Sequence, residues 1–339
     1  MFLVGVEFQP ELLRKSGRSA AAVSVAGMVA PFLLGAGVAL WLIDVPGMFG
    51  DGIRPFDAAL FLGASMAITA FPMLARIIYE RGLAGTALGT LALAAGAIDD
   101  AAAWGVLAVV LASLDQSWTI AGRAIAGGVA YAFLVLTLGR RALGWLAARA
   151  ESRRTLSQPM LASLLALVML GAWCTDILGI YAVFGAFVMG VAVPRGFLAD
   201  SLRRTIEPIT VALLLPLFFT FSGLNTRFDL LDSPFLWFVS AVVLGAACLG
   251  KGVACWAAAR WQGEEPRTAL AVGSLMNARG LMELIILNIG LQRGIITPTL
   301  FSVFVIMAIA TTLMAAPAFE WVYGSRARAA GQLGPERRD

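Results

Sequence analysis

The sequence contains no histidine, and only 14% of its 339 residues are charged, where a soluble domain carries roughly 25%. The missing histidine excludes imidazole metal sites and the ordinary neutral-pH switch, so any proton chemistry falls to carboxylates and lysine. Cysteine is scarce as well. Cys174, Cys248 and Cys255 all lie in apolar runs, and the last two stand seven residues apart, roughly 10 Å along a helix and too far to bridge. All three read as small buried hydrophobes that say little about redox compartment. What the chain has in quantity is hydrophobic residues, 60% of the total, so the bilayer is its solvent. The 36 glycines and 14 prolines fall largely inside those apolar runs, where neighbouring helices satisfy the backbone groups they free.

Stretches near the ~20 residues that a membrane helix needs predict spans at 19–43, 56–79, 86–112, 122–146, 158–177, 179–195, 207–224, 234–258, 267–291 and 297–322. The opening Met1 to Phe8 is too short to cross and reads as the tail of a helix whose beginning is missing. Basic residues concentrate in cytoplasmic loops. With the segment around Arg14, Lys15 and Arg18 placed on that side, the loops and tail sharing it hold 19 basic residues against 4 on the other. This orientation predicts a cytoplasmic C-terminus, in a multi-pass protein of the cell (inner or plasma) membrane. The remaining two basic residues, Lys251 and Arg279, fall inside spans.

An ionisable side chain inside a span is costly, faces protein or a water cavity, and marks a path for ions, protons or substrate. The sharpest such signal is Asp99 with Asp100 in GAIDDAAAW. Neighbours on a helix diverge by about 100°, so one carboxylate can face a cavity and the other a partner. Two acids this close also titrate as a coupled pair, which suits proton exchange. A pair of structural salt-bridge acids is the plainer alternative. Lys251, in LGKGVACW, needs a carboxylate, and Asp99 or Asp100 is the candidate. Arg279 and Glu283 stand four apart on one helical face and can pair with each other, which serves structure as readily as function. Asp176, near a helix end, reads as a cap or loop acid. Two spans carry interruptions. Pro72 in SMAITAFPMLARI removes a backbone donor and frees carbonyls around Ile68 and Thr69, and Asn277 and Gly280 flank the arginine of MNARGLMEL. Interrupted helices in corresponding halves point to an inverted-repeat transporter with its site at the midplane.

The stretches FLVGVEFQPELLRK, TAFPMLARIIYERGL, GAIDDAAAW, GIYAVFGAFVMGVAVPR, LLPLFFTFSGLNT and MNARGLMELIILNIGL together resemble the second family of monovalent cation:proton antiporters. That family includes bacterial sodium and potassium antiporters and plant cation exchangers. The resemblance implies an all-α integral membrane protein, a polytopic bundle of inverted five-helix repeats with the sodium/proton antiporter fold. It also implies a dimerisation domain, and a mobile core whose two broken helices cross beside the carboxylate helix. One exchanger-type transmembrane domain is expected over 1–323, with a short basic cytoplasmic tail over 324–339. By motif match Asp100 is similar to the acid that binds the transported Na⁺ or K⁺ and the proton, and Asp99 to the acid that pairs with Lys251. The two-aspartate pattern with such a lysine resembles the electrogenic branch. Two departures stand out: the family carries about two more helices before the segment that begins here, and its GIHAxFGAF histidine is Tyr181 in this chain.

The expected activity is therefore elevator-like antiport of a monovalent cation for protons, not enzymatic catalysis. The cation would sit on Asp100, on carbonyls near Thr69 and on the Thr69 hydroxyl, and protonation on the other side would release it. Expected partners are the cation and proton, the lipid bilayer and a second copy of the chain, with no nucleic acid and no resident cofactor. Rival readings are a non-transporting relic, an ion channel on the same scaffold, and an intramembrane aspartyl protease. The last fits poorly, because its two carboxylates must share a proton and normally come from separate helices.

Overall fold

The computed structural model describes residues 1–7, 10–83, 86–114, 118–178 and 182–324, and those residues are helical with short connections. Eight helices among them are long and apolar enough to cross a membrane. By contact the chain divides into two compact units, one formed by Met1–Phe8 and Leu111–Phe221 and the other by Gln9–Val110 and Ser222–Asp339.

The first unit contains α1 (Phe2–Glu7), α6 (Trp118–Leu134), α7 (Arg140–Arg153), α8 (Gln158–Ile177), α9 (Ala182–Ala192), α10 (Phe197–Ile209) and α11 (Leu215–Leu224), which runs three residues past the unit's boundary. A π turn at 135–139 joins α6 to α7, and another at 210–214, just beyond Pro208, joins α10 to α11. Its close packing rests on small residues, as helix association in lipid generally does. Gly5 of α1 and Gly190 of α9 meet backbone to backbone, and the Tyr131 hydroxyl donates to the Gly185 carbonyl at 3.0 Å. The predicted span 207–224 begins earlier, at Phe197, because helical propensity continues into the polar stretch ADSLRRTIEP, where Arg203 pairs with Glu207 one turn on at 2.9 Å. Hydropathy detects only the part of such a helix at membrane depth. Likewise α7 carries the predicted 122–146 span on to Arg153. The predicted span 179–195 appears as the shorter α9, and Tyr181 lies outside the described residues, as does the tail from 325 onward. Asp176 is exposed in the last turn of α8.

The second unit contains α2 (Pro10–Leu42), α3 (Pro55–Ala67), α4 (Phe71–Glu80), α5 (Ala87–Leu114, which runs past the unit's boundary), α12 (Pro234–Trp261), α13 (Pro266–Met276), α14 (Leu281–Gln292) and α15 (Pro298–Phe319). Here α2 packs along α3 and α12, and α15 lies against α12, α13 and α14. Gly290 of α14 sits against the ring of the fully buried Phe61 of α3, with no room there for a methyl group. The predicted spans 56–79 and 267–291 are each split. Ile68 turns extended at the end of α3 (φ −75°, ψ 139°), and the helix resumes at Phe71 with Pro72 in its first turn, where the missing N–H costs nothing. The other break runs from Asn277, which caps α13, to an extended Gly280. The two breaks touch: the Ala70 amide donates to the Ala278 carbonyl at 3.1 Å. A side chain at 280 would stand 3.0 Å from Met73 and 3.3 Å from Ala70, so it is the close approach of the two breaks that favours glycine there.

Candidate ion-binding site

Each break strands backbone carbonyls that have no partner within their own helix. In hydrocarbon such groups cost several kcal/mol apiece unless satisfied, on the order of 4–8 kcal/mol by transfer to an alkane. Two cationic side chains meet this need at the end of α3. Arg279, fully buried in the second break, donates to the Ser65 carbonyl at 3.3 Å and to the Met66 carbonyl at 2.8 Å. Lys251, fully buried near the middle of α12, donates to the next carbonyl, that of Ala67. Arg279 also pairs with Glu283 at 3.2 Å, one turn into α14, and its own carbonyl accepts from the Thr312 hydroxyl at 2.8 Å. The guanidinium fork thus bolts α3, the second break and α14 together, a task that a point-charge ammonium performs less well.

Beside this crossing, α5 presents Asp99 and Asp100, both fully buried, and the structure treats them very differently. Asp99 is saturated with donors. Its Oδ1 accepts from the Ser24 hydroxyl of α2 at 2.5 Å, and its Oδ2 from the Thr69 hydroxyl of the first break at 2.5 Å, with Lys251 Nζ at 3.4 Å. Asp100 has no hydrogen-bond partner among the described residues at either oxygen. A buried carboxylate with both oxygens bare has a strong affinity for a proton or a metal cation, whereas one engaged by three donors is less available to either. Glu283 Oε2, Arg279 Nε and Asn277 Oδ1 are likewise buried without a hydrogen bond.

The sequence-derived residues therefore gather around one crossing, with one reassignment. Thr69, read from the sequence as a ligand alongside Asp100, donates a hydrogen bond from its hydroxyl to Asp99, because the extended Ile68 presents the next side chain to that face of α5. Asn277 lies at the second break, where the sequence reading put it. It donates to the Gly273 carbonyl at 3.1 Å and lines a cavity of about 200 Å³ with Cys248, Gly252, Ser274 and Thr311. Ser24 was not legible as a site residue. The signal for it is a helical spacing, Ala20, Ser24, Gly27 and Pro31, which are all buried on α2.

A crossing of two broken helices beside a donor-free buried carboxylate can be set against known proteins. The model of the family described as sodium/hydrogen exchanger, transmembrane, matches residues 1–323. The chain belongs to that family. Exchangers of this kind are transporters, not enzymes, and the protease reading falls away, since Asp99 is committed to three donors and is not free to share a proton with its neighbour. Among similar exchanger-family proteins is the Na(+)/H(+) antiporter NhaS4 of Synechocystis, 40% identical over 329 residues that cover 95% of this chain and 79% of that protein. Cation/H(+) antiporter 17 of Arabidopsis thaliana is 34% identical over 95% of this chain, which spans only 39% of the plant protein's length. K(+)/H(+) antiporter 1 of Saccharomyces cerevisiae is 29% identical over 95% of this chain and 38% of its own length. The sodium proton antiporter MjNhaP1 from Methanocaldococcus jannaschii, solved at pH 8, superposes with a TM-score of 0.61 at 15% identity, covering 96% of this chain and 82% of that one. The likeness is one of fold.

Proposed function

We propose that this exchanger-family protein moves a monovalent cation, Na⁺ or K⁺, across the cell membrane in exchange for protons. The observation that carries the reading is Asp100, fully buried beside the crossed breaks with neither oxygen hydrogen-bonded among the described residues while its neighbour Asp99 is fully engaged. The names of the relatives, Na(+)/H(+), K(+)/H(+) and cation/H(+) antiporters, support it.

The mechanism is competition for one carboxylate. On one side of the membrane Asp100 binds the dehydrated cation, aided by carbonyls of the nearby break, and on the other a proton replaces it. A bare carboxylate is too costly to carry through the apolar barrier, whereas a protonated or cation-loaded one is neutral. That difference couples the two fluxes. Asp99 and Lys251 form the companion pair, and the pair lends the exchange its electrogenic character. Arg279, with Glu283, ties the two broken helices together so that the carboxylates and the crossing travel as one body in an elevator-like movement. Pro72, Asn277 and Gly280 keep the breaks open. The transmembrane domain is read as running over 1–323, followed by a basic tail on the cytoplasmic side. The working assembly is a homodimer, for which the apolar face running from the π turn at 210–214 into α11, with Leu213, Leu217 and Phe221 exposed, offers a surface.

The test is proton movement in proteoliposomes, followed with a pH-sensitive dye as Na⁺, K⁺ or Li⁺ is added to wild type and to Asp100→Asn. Proton flux that depends on the cation and disappears in the variant is the expected result, and the cation that drives it identifies the cargo. Wild-type protein that moves no protons with any of these cations would refute antiport.

A further inference from the structure

The cavity that Asn277 lines has no part in the exchange step. It holds about 200 Å³ between α12, α13 and α15 of the second unit, and its wall is mostly apolar. Leu270 and Met314 line it and are 42% and 51% exposed, so it opens toward lipid. Among the described residues no charged side chain lines it. Thr311 stands as far along α15 from Pro298 as Asp100 stands along α5 from Ala87, so a neutral hydroxyl here takes the position that the donor-free carboxylate holds in α5.

The polar groups of this wall have acceptors to offer and few donors. The Ser274 hydroxyl donates to the Leu270 carbonyl at 3.0 Å and the Thr311 hydroxyl to the Met307 carbonyl at 2.8 Å, so both protons turn back into their own helices. Asn277 Nδ2 donates to the Gly273 carbonyl at 3.1 Å, which fixes the orientation of the amide. Its Oδ1 is then a buried acceptor with no hydrogen bond among the described residues. An occupant that satisfies it must bring a donor. An ammonium would find no carboxylate to offset its desolvation, and an anion would meet an oxygen. A neutral hydroxyl on an apolar body fits both the acceptor and the wall. Since an apolar cavity of ~150 Å³ takes a benzene ring, this one has room for a ring with a short hydroxyl arm.

We propose that this cavity is a regulatory site for a small neutral alcohol drawn from the bilayer: its hydroxyl donates to Asn277 Oδ1, its apolar body fills the space between α12, α13 and α15, and its occupancy slows exchange. Asn277 is well placed to pass the effect on. It caps α13, and the carbonyl of the next residue, Ala278, accepts the Ala70 amide that joins the two breaks at 3.1 Å. On its other side it lies against Gly252, where an added methyl group would stand 2.8 Å from Asn277 Nδ2. A ligand on Oδ1 therefore stiffens the cap at the second break. The slowing rests on the reading of the crossing as the exchange site, whereas the binding does not.

The experiment uses 4-fluorobenzyl alcohol and, as its hydroxyl-free counterpart, 4-fluoroethylbenzene. Binding to the full chain in lipid nanodiscs is followed by fluorine NMR, with empty nanodiscs giving the partition into lipid. Wild type is expected to bind the alcohol about tenfold more tightly than the hydrocarbon, the worth of pairing a buried acceptor. Asn277→Leu, which removes the acceptor and keeps the volume, should level the two. Cys248→Phe fills the cavity and should abolish binding of both, and Ala318→Leu, which fills it from α15, carries the test if Cys248→Phe does not fold. In the proteoliposome assay the alcohol should slow cation-dependent proton flux in wild type and leave the filled variant at its own rate. Binding no greater than in empty nanodiscs, binding that survives filling, or equal affinity of wild type for the two probes would overturn the site. Slowing that persists in the filled variant would come from the bilayer and overturn the regulatory role, as would bound alcohol without slowing. Wild type that moves no protons refutes the antiport reading and the slowing with it, while the fluorine signal decides the binding on its own.

Discussion

Replacing Lys251 by methionine removes one partner of a buried ion pair and nearly preserves its volume. At the observed 3.4 Å separation the attraction is about 5 kcal/mol with an effective dielectric of 20. Truncating one member of such a pair typically costs about 3–5 kcal/mol, because the other charge is left buried. Here the lower end applies, since Ser24 and Thr69 continue to donate to Asp99, although the Ala67 carbonyl also loses its donor. A loss of about 3 kcal/mol corresponds to a fall of roughly 6 °C in the melting midpoint, at about 2 °C per kcal/mol for a chain of this size. The assay is the decay of the monodisperse gel-filtration peak of detergent-solubilised protein with temperature. The companion variant Lys251→Met with Asp99→Asn removes the stranded charge and should recover about half of the loss, or some 3 °C, because the two sites are coupled. A single variant within 1 °C of wild type, or a double variant that falls by the sum of its parts, would show that Asp99 and Lys251 do not support one another.

Two further substitutions probe the scaffold. Gly290→Ala places a methyl group against the ring of Phe61, which is fully buried and cannot swing away, and should cost about 1–3 kcal/mol in the same melt. Pairing it with Phe61→Leu should restore most of the loss, and a lone Gly290→Ala as stable as wild type would place the α3–α14 contact elsewhere. Arg279→Lys keeps the charge but replaces a planar fork that serves two carbonyls and Glu283 by a single ammonium, so a loss of about 2 kcal/mol is expected. A variant with the wild-type melting midpoint would mean that charge alone, not the fork, ties the crossing.

The membrane character was fully legible in the sequence, because burial in lipid is a matter of composition. With 14% charged residues and long apolar runs, the chain has no other solvent, and a charge placed inside a span is conspicuous for the same reason. That is why Asp99, Asp100, Lys251, Arg279 and Glu283 stand out from their apolar surroundings in the sequence alone, and why Pro72, by removing a backbone donor, announces the first break. Pairing Arg279 with Glu283 required only helical spacing. Assigning partners across the fold required more. That Asp99 collects three donors and Asp100 none depends on which face of α5 meets α2 and the first break, and adjacent residues differ only by about 100° on a helix. Ser24 is a small hydroxyl among other small residues, chemically inconspicuous until its side chain is placed 2.5 Å from a buried carboxylate seventy-five positions away. The capping of the α3 carbonyls by Arg279 and Lys251 has no sequence signature either, since it joins residues more than 180 positions apart through backbone atoms that every residue carries. The sequence by itself determined which charges enter the membrane, since a charge inside an apolar run is visible from composition and spacing alone. Only the tertiary structure decided which of them is satisfied and which is left free to bind, because hydrogen bonds are short and directional and exist only between atoms the fold has brought together.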